Sequence, residues 1–211
     1  MRIAIIDSGI HPGHPHVGAI AGAVGIAPGG DNDDAIDRLG HGTAVAGAIR
    51  EKAPDAELFA VKVFDRRLTA SISVILRALE WCRERRMDLV NLSLGTENPA
   101  HRDSFLRVLA DDLLVVSAAN VLPGRLPGVI GVAPDSDCPR DAFRYHDGVF
   151  YASPYPRPIP GVSVDRNLHG TSFAVANMTG LAARILKHCP RPSIREALIA
   201  EAEDPVRRGG S

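Results

Sequence analysis

Short apolar runs alternate along this chain with segments of helical periodicity, and this alternation limits the folds that the chain can adopt. The runs have the length of strands and are apolar almost throughout, so both faces of each strand must be buried. Such strands are typical of parallel sheets that helices cover on both sides. We therefore expect an α/β fold, a three-layer sandwich with a mostly parallel central sheet. The expected strands are Ile3–Ile6, Leu58–Phe64, Leu89–Leu94, Leu113–Ala118 and Val129–Ala133, and the expected helices are Thr43–Glu51, Ser73–Arg86, Ser104–Ala110 and Thr171–Lys187.

The length of 211 residues suits one folded domain. We expect this domain to cover residues 1–202 and residues 203–211 to form a flexible tail. Three further stretches are predicted as loops, and the last of them is rich in Pro and aromatic residues. These loops are Pro28–Gly40, Asn98–Arg102 and Asp135–Pro160.

Charge and composition restrict the partners of this chain. The formal net charge is −1, so no basic excess favours a nucleic acid or an anionic membrane surface. No segment approaches the roughly 20 apolar residues of a membrane-spanning helix. We predict neither a nucleic-acid nor a membrane partner and leave the oligomeric state open.

Cysteine usage and the first residues favour a cytoplasmic location. Cys82, Cys138 and Cys189 are odd in number and widely separated, which argues against a disulfide framework. The opening MRIAIIDSGI lacks the longer apolar stretch and small-residue cleavage site of a signal peptide. Since Met1 stands only six residues before Asp7, we also expect the chain to fold without an attached pro-domain.

Five polar residues fall where parallel sheets carry their working residues, at strand ends and helix starts. Asp7, Ser93 and Asn120 fall at the ends of expected strands, while His41 and Ser172 fall at the starts of expected helices. A serine hydroxyl becomes a nucleophile when a general base and an orienting carboxylate lie within reach, and an Asp, a His and a Ser supply these parts. Taken singly, each has a plainer explanation: a turn or cap residue, a structural histidine and a helix cap.

The segments IIDSG, GHGTAVAG and HGTSFAVAN resemble the three triad signatures of the subtilisin-like peptidase family, and they occur in its order Asp, His, Ser. The segments LVNLSLG and LLVVSAAN also look like family segments in family order. The resemblance implies a subtilisin-like fold and a serine endopeptidase. It implies a catalytic triad of Asp7, His41 and Ser172 and a peptide or protein substrate.

The same resemblance implies roles for residues of the substrate cleft. Asn120 would be the side-chain donor of the oxyanion hole, beside the backbone N–H of Ser172. One wall of the cleft would be Ser93, Leu94 and Gly95, and the other would be Leu68, Thr69 and Ala70, with the peptide bound as an added strand.

The first specificity pocket of the family lies between the Ser93–Gly95 wall and the backbone before the oxyanion Asn. That backbone carries Ala119 where the family usually has Gly, and Val121 and Leu122 stand where a longer loop is usual. We therefore expect a narrowed, apolar pocket.

Two motifs are rich in residue types that bind metal ions. His11, His14 and His16 form HxxHxH, and several acids lie in Asp31–Asp37. We interpret the first as a surface loop and the second as a solvated loop, because EF-hand spacing is absent. The family's calcium-site insertions have no clear counterpart here, so no metal and no cofactor are predicted.

Two other functions stay in view. A non-catalytic module that keeps the peptide groove is the main alternative. Another serine hydrolase, such as an esterase, would usually show GxSxG and the order Ser, Asp, His, and neither occurs here. The physiological substrate is left open between one dedicated precursor peptide and general turnover.

Overall fold

The structure, a computed structural model, describes residues 1–109, 113–163, 166–189 and 193–202. The strands are β1 Arg2–Asp7, β2 Gly22–Ala27, β3 Gly30–Asn32, β4 Glu57–Lys62, β5 Leu89–Leu92, β6 Val115–Ala118, β7 Ile130–Pro134, β8 Phe143–His146 and β9 Val149–Ala152. The helices are α1 His41–Lys52, α2 Ile72–Glu84, α3 Arg102–Val108, α4 Thr171–Leu186 and α5 Ile194–Glu201, with a 3-10 turn at Pro99–His101.

These strands form one nine-stranded sheet in the order β3-β2-β4-β1-β5-β6-β7-β9-β8. The strands from β2 to β9 in that order pair in parallel, and antiparallel pairs occur at the edges, between β2 and β3 and between β8 and β9. In the middle, Ile5 of β1 lies between Ala60 of β4 and Asn91 of β5. The prediction of a mostly parallel sheet is confirmed.

Each face of the sheet packs against its own apolar cluster. Ile3 and Ile5 of β1 lie in the cluster covered by α1, α4 and α5, whereas Ala4 and Ile6 lie in the cluster covered by α2 and α3. Successive residues of a strand point to opposite faces, which explains why β1 is apolar throughout. The predicted three layers are therefore present, and α1 and α4 share one of them.

Some predicted loops contain regular structure. Pro28–Gly40 includes β3, and Asp135–Pro160 includes β8 and β9, so the loop predictions for these stretches are wrong in part. The strands β3 and β8 lie at the sheet edges and carry exposed residues, which breaks the apolar run by which buried strands are recognised. The predicted tail, 203–211, lies outside the described residues.

The longest helix, α4, covers 16 residues and is buried along most of its length. In the parts of the chain that the structure describes, no helix is long and apolar enough to cross a bilayer.

Candidate active site

Asp7 and His41 meet at the carboxyl edge of the sheet. Asp7 is the last residue of β1, and His41 is the first residue of α1. The Nδ1 atom of His41 lies 2.8 Å from Oδ1 of Asp7. The Asp7 side chain is fully buried, and the His41 side chain is 16% exposed. Since Nδ1–H donates to the carboxylate, Nε2 carries the free lone pair of the neutral ring and can accept a proton.

The electrostatics of His41 suit a general base. Burial alone would lower the pKa of His41, but the hydrogen bond and charge of Asp7, together with the charge of Asp37, outweigh it and raise the pKa. The second oxygen of Asp7, Oδ2, is buried and makes no hydrogen bond with any described residue. The negative charge of this buried carboxylate stabilises an imidazolium on His41.

Close backbone packing brings α1 to the end of β1. A Cβ atom at Gly42 would lie 2.2 Å from the carbonyl oxygen of Gly9, so only glycine permits this approach. The Gly42 N–H donates to Oγ of Ser8 over 3.0 Å, and the Ser8 N–H donates to Asp7 Oδ1 over 2.7 Å. The segment after β1 and the first turn of α1 are thus directly bonded.

Asp37 was missed at the sequence level and holds the start of α1. Its carboxylate accepts five hydrogen bonds: the Ser8 hydroxyl, the N–H groups of Leu39 and Gly40, and both the N–H and the hydroxyl of Thr43. Burial alone would raise the pKa of Asp37, but these bonds, led by the one from the Thr43 hydroxyl, outweigh it and lower the pKa. The available signal was an acidic residue four positions before the start of a predicted His-containing helix segment.

Ser172 lies at the start of α4, and the residue that follows it packs against His41. It is the second residue of α4, and the next residue, Phe173, is buried with its ring centroid 5.6 Å from that of His41. Among the described residues no hydrogen bond joins the Ser172 hydroxyl to His41, and such bonds often tighten only when substrate binds. The structure thus places the residue that directly follows Ser172 against His41.

The remaining predicted residues border the same edge. Ser93, Leu94 and Gly95 follow β5, and Ala119 and Asn120 follow β6, with Asn120 exposed in a turn. Leu68, Thr69 and Ala70 lie between β4 and α2 and are half-exposed or exposed. Since β4, β1, β5 and β6 are neighbours in the sheet, the ends of these strands lie side by side.

The segment after Asn120 closes the space beside Gly95. Thr96 and Leu122 form an antiparallel bridge, with N–H···O bonds of 3.0 and 2.9 Å. A Cβ atom at Gly95 would lie 2.1 Å from the Leu122 carbonyl oxygen and 2.6 Å from Cγ2 of Val121. The space between the Ser93–Gly95 wall and this segment is therefore narrow.

Three of the four acids in Asp31–Asp37 have protein partners, namely Asp31, Asp34 and Asp37. Asp31 pairs with Arg77, and Asp34 bonds Arg38 and Lys62, which lower the pKa of Asp34 to about 2. The reading of this stretch as a solvated loop is wrong for Asp37, because the neighbouring Ser8 and Thr43 bury it. Across the described ranges, no group of three or more His, Cys, Asp or Glu side chains is placed to hold a metal ion.

Known proteins resemble this chain in sequence. The model of the subtilase family matches residues 1–137, a range that contains Asp7, His41 and Asn120 but not Ser172. A thermostable alkaline protease of Halalkalibacterium halodurans is 31% identical over 216 residues, which covers 90% of this chain and 57% of that protein. Subtilisin E of Bacillus subtilis is 30% identical, over 90% of this chain and 56% of its own length. The chain thus spans a little over half the length of these relatives.

A shorter relative and a solved structure extend the comparison. Subtilisin Savinase of Lederbergia lenta is 32% identical over 213 residues, which covers 90% of this chain and 77% of that protein. The crystal structure of a cold-adapted subtilisin-like serine proteinase superposes with a TM-score of 0.72 at 18% identity, over 96% of this chain and 84% of that one. At that identity the superposition shows a shared fold.

Proposed function

This chain belongs to the subtilase family, and from that premise we propose that it is a serine endopeptidase whose catalytic triad is Asp7, His41 and Ser172. The observation that carries the proposal is the 2.8 Å contact between His41 Nδ1 and the buried carboxylate of Asp7. This contact fixes the ring tautomer that leaves Nε2 as the base. The packing of Phe173 against His41 supports Ser172 as the nucleophile that this base serves.

The proposed reaction proceeds through an acyl-enzyme. Nε2 of His41 takes the Ser172 hydroxyl proton while Oγ bonds to the scissile carbonyl carbon. His41 then gives that proton to the leaving nitrogen, the C–N bond breaks, and the amine product departs. Water attacks the ester, loses one proton to His41, and the ester bond breaks as this proton returns to Ser172 Oγ. Asn120 and the Ser172 N–H are the proposed donors to the oxyanion.

The substrate is proposed to be a peptide or protein segment bound between two walls. Ser93, Leu94 and Gly95 follow a central strand, so an extended peptide can pair with them as an added strand. Trimming of one dedicated precursor peptide remains a proposal, as does the cytoplasmic location. Mass spectrometry of fragments from a peptide library, together with fractionation of the source cells, tests both.

Covalent labelling with a fluorophosphonate tests the proposed function. The label bonds to an activated serine, so we expect one adduct per chain at Ser172 and none in the Ser172→Ala variant. The control is Ser136→Ala, which removes an exposed serine far from α4 in sequence and should label normally. A wild-type chain that binds peptides but takes up no label and cleaves nothing would instead be the non-catalytic binding module.

A further inference from the structure

A cavity of about 490 Å³ opens beside the proposed catalytic residues. Gly40 and Thr43, on either side of His41, line it, and so do Asn167 and Leu168, which lie shortly before Ser172. The residues that complete its walls come from the HxxHxH loop and from the segment around Arg157. We call it the histidine cavity, and it adjoins the reaction centre without containing the triad side chains.

The histidine cavity and the two proposed substrate walls adjoin helices on different faces of the sheet. The walls lead into α2 and α3, which pack on one face. The cavity is bordered by Thr43 and Ala44 of α1 and by Asn167 and Leu168 just before α4, and these two helices pack on the other face. Because the walls are the proposed binding site for residues before the scissile bond, we assign the cavity to the residues after it, on the leaving-group side.

Arg157 supplies a permanent positive charge in this cavity. Its NH1 group donates to the carbonyl oxygen of His16 over 3.3 Å, and its own carbonyl oxygen accepts from Asn167 over 3.3 Å. Asn177 of α4 donates to the carbonyl oxygen of Tyr155 over 2.9 Å and so anchors the segment that carries the arginine. The remaining guanidinium N–H groups make no hydrogen bond with the described residues, so they are available to an acceptor.

His14 supplies a hydrogen-bond donor at Nε2. Its Nδ1 atom accepts the backbone N–H of His16 over 3.2 Å, so the proton of the neutral ring must sit on Nε2. The rings of His14 and His16 meet edge to face with centroids 5.2 Å apart. Burial lowers the pKa of His16, and electrostatic interactions with Arg157 and His14 lower it further, against a smaller opposing effect of Glu51.

Asp37 also lines the cavity and keeps its negative charge, but no ion pair joins it to Arg157 among the described residues. Its oxygens accept hydrogen bonds from the neutral donors of Ser8, Gly40 and Thr43, so the guanidinium of Arg157 is not occupied by this acid. Ile159 and Leu168, which are 45% and 49% exposed, add apolar surface at the cavity. The combination of apolar walls, a fixed cation and an N–H donor suits a carboxylate on a short aliphatic stem.

We propose that the histidine cavity is a leaving-side subsite that binds a carboxylate of the substrate peptide, through Arg157 and His14. This assignment of the substrate rests on the proposed peptidase function. The carboxylate is either an acidic side chain after the scissile bond or the C-terminal carboxylate of a short leaving peptide. Two donors of these types at one acceptor give charge-assisted hydrogen bonds, and we expect a preference of about tenfold over the matching amide.

A binding experiment on the full chain tests the subsite without relying on turnover. The Ser172→Ala protein is titrated with three probe peptides while NMR follows the ring nitrogens of His14 and His16. The probes are Ala-Glu-Ala amide, Ala-Gln-Ala amide and Ala-Gln-Ala with a free carboxylate. If the first probe changes the chemical shifts of both rings, the subsite binds an acidic side chain. If the third probe changes them, the subsite binds the C-terminal carboxylate. If neither acid moves the rings more than the Ala-Gln-Ala amide does, the proposal is overturned.

Matched variants distinguish a direct contact of Arg157 with the carboxylate from a general effect of positive charge. Arg157→Gln should abolish the response to the acid, and Arg157→Lys should keep part of it because the positive charge remains. Arg166→Gln removes an exposed arginine that follows in the same loop and should leave the response intact. An equal loss in the Arg166→Gln and Arg157→Gln variants would contradict the subsite.

Hydrolysis rates of the wild-type chain give a second test of the subsite. The kcat/KM ratio of Glu to Gln peptides, scanned over the first three leaving-side positions, should reach about tenfold at one position or for the free carboxylate. A chain that takes up fluorophosphonate and shows ratios near one throughout disproves the subsite alone. A chain that takes up no label disproves the peptidase function, and the NMR titration still decides the subsite.

Discussion

Gly42 lies against the carbonyl oxygen of Gly9, where an added Cβ would sit only 2.2 Å from that oxygen and 3.2 Å from Oδ1 of Asp7. Backbone contact of this kind joins the end of β1 to the start of α1. The 2.8 Å bond between Asp7 and His41 depends on it, because His41 immediately precedes Gly42.

Gly42→Ala is therefore expected to damage catalysis more than folding. The methyl group pushes the start of α1 away from β1, and a misplacement of about 1 Å costs on the order of 10² in kcat/KM. The control is Gly29→Ala, whose Cβ would meet nothing within 4 Å and whose φ is not positive. Steady-state kinetics and thermal melting of both variants check this. Equal activity of the two variants would show that the contact does not position His41.

Asp37→Asn tests whether the buried carboxylate tunes His41. A neutral imidazole is needed as the base, so kcat/KM should fall as the pH drops through the pKa of His41, which lies above the ordinary histidine value. Removing a nearby negative charge favours the neutral ring and lowers that pKa. The acidic limb of the pH profile should therefore move to lower pH in the variant.

The same substitution should also reduce stability. Asparagine keeps one oxygen acceptor and presents an NH2 group to donors, which we expect to cost about 1–3 kcal/mol of unfolding free energy. Asp33→Asn makes the same charge change at an exposed position of the same loop and should alter neither property. If Asp37 has only a structural role, the Asp37→Asn variant will be less stable but the acidic limb of its pH profile will not move. That result would refute the electrostatic role of Asp37.

Removal of divalent metal ions should leave the chain stable. Asp31 and Asp34 are neutralised by Arg77, Arg38 and Lys62, so these acids need no cation to offset repulsion. We expect EDTA to shift the melting temperature by less than about 2 °C, since the release of a tightly bound ion would lower it by more. Loss of activity together with a large fall in melting temperature, restored by calcium, would instead show that the chain holds a structural metal ion.

Buried features were predictable from the sequence where one local pattern determined them. The apolar run Ile3–Ile6 predicted a strand buried on both faces, and β1 lies near the centre of the sheet. The strand β8, with the sequence FRYH, lies at an edge with half its residues only partly buried, so its pattern did not stand out from the surrounding loop. Edge strands follow pairing with a neighbour more than their own apolar content.

In the candidate site, too, residues set by a local segment were predictable, and residues set by long-range contacts were not. The positions of Asp7 and His41 at element ends followed from local segments, and their pairing rested on the resemblance. Asp37 looked like one more loop acid, because its burial depends on Ser8, which is distant in sequence. The role of the HxxHxH loop in a cavity was equally hidden, since Arg157 joins it from far along the chain. Contacts of this range leave no periodic signal.

The closed space beside Gly95 leads to a prediction about cleavage preference. The Leu122 segment removes volume beside Gly95, which packs directly on the Leu122 carbonyl oxygen. The family resemblance places Ala119 at the same proposed first specificity pocket, where its Cβ would remove further volume. Small or medium apolar side chains before the scissile bond should therefore be preferred. Forcing a large ring into such a pocket costs about 1–3 kcal/mol, or roughly 5- to 150-fold in kcat/KM. No acidic residue stands among Ser93–Gly95 or Ala119–Leu122, so Lys and Arg should not be favoured.

Matched peptides with Ala, Leu, Phe or Arg before the scissile bond measure this preference directly. In the wild-type chain Ala or Leu should give the highest kcat/KM. Ala119→Gly removes the Cβ beside the pocket and should raise the Phe to Ala ratio, whereas Ala19→Gly, at an exposed position, should not. If the shortened segment instead leaves the pocket open to solvent, all four peptides will be cleaved at similar rates. That result, or a clear win for Phe or Arg, would overturn the narrow pocket.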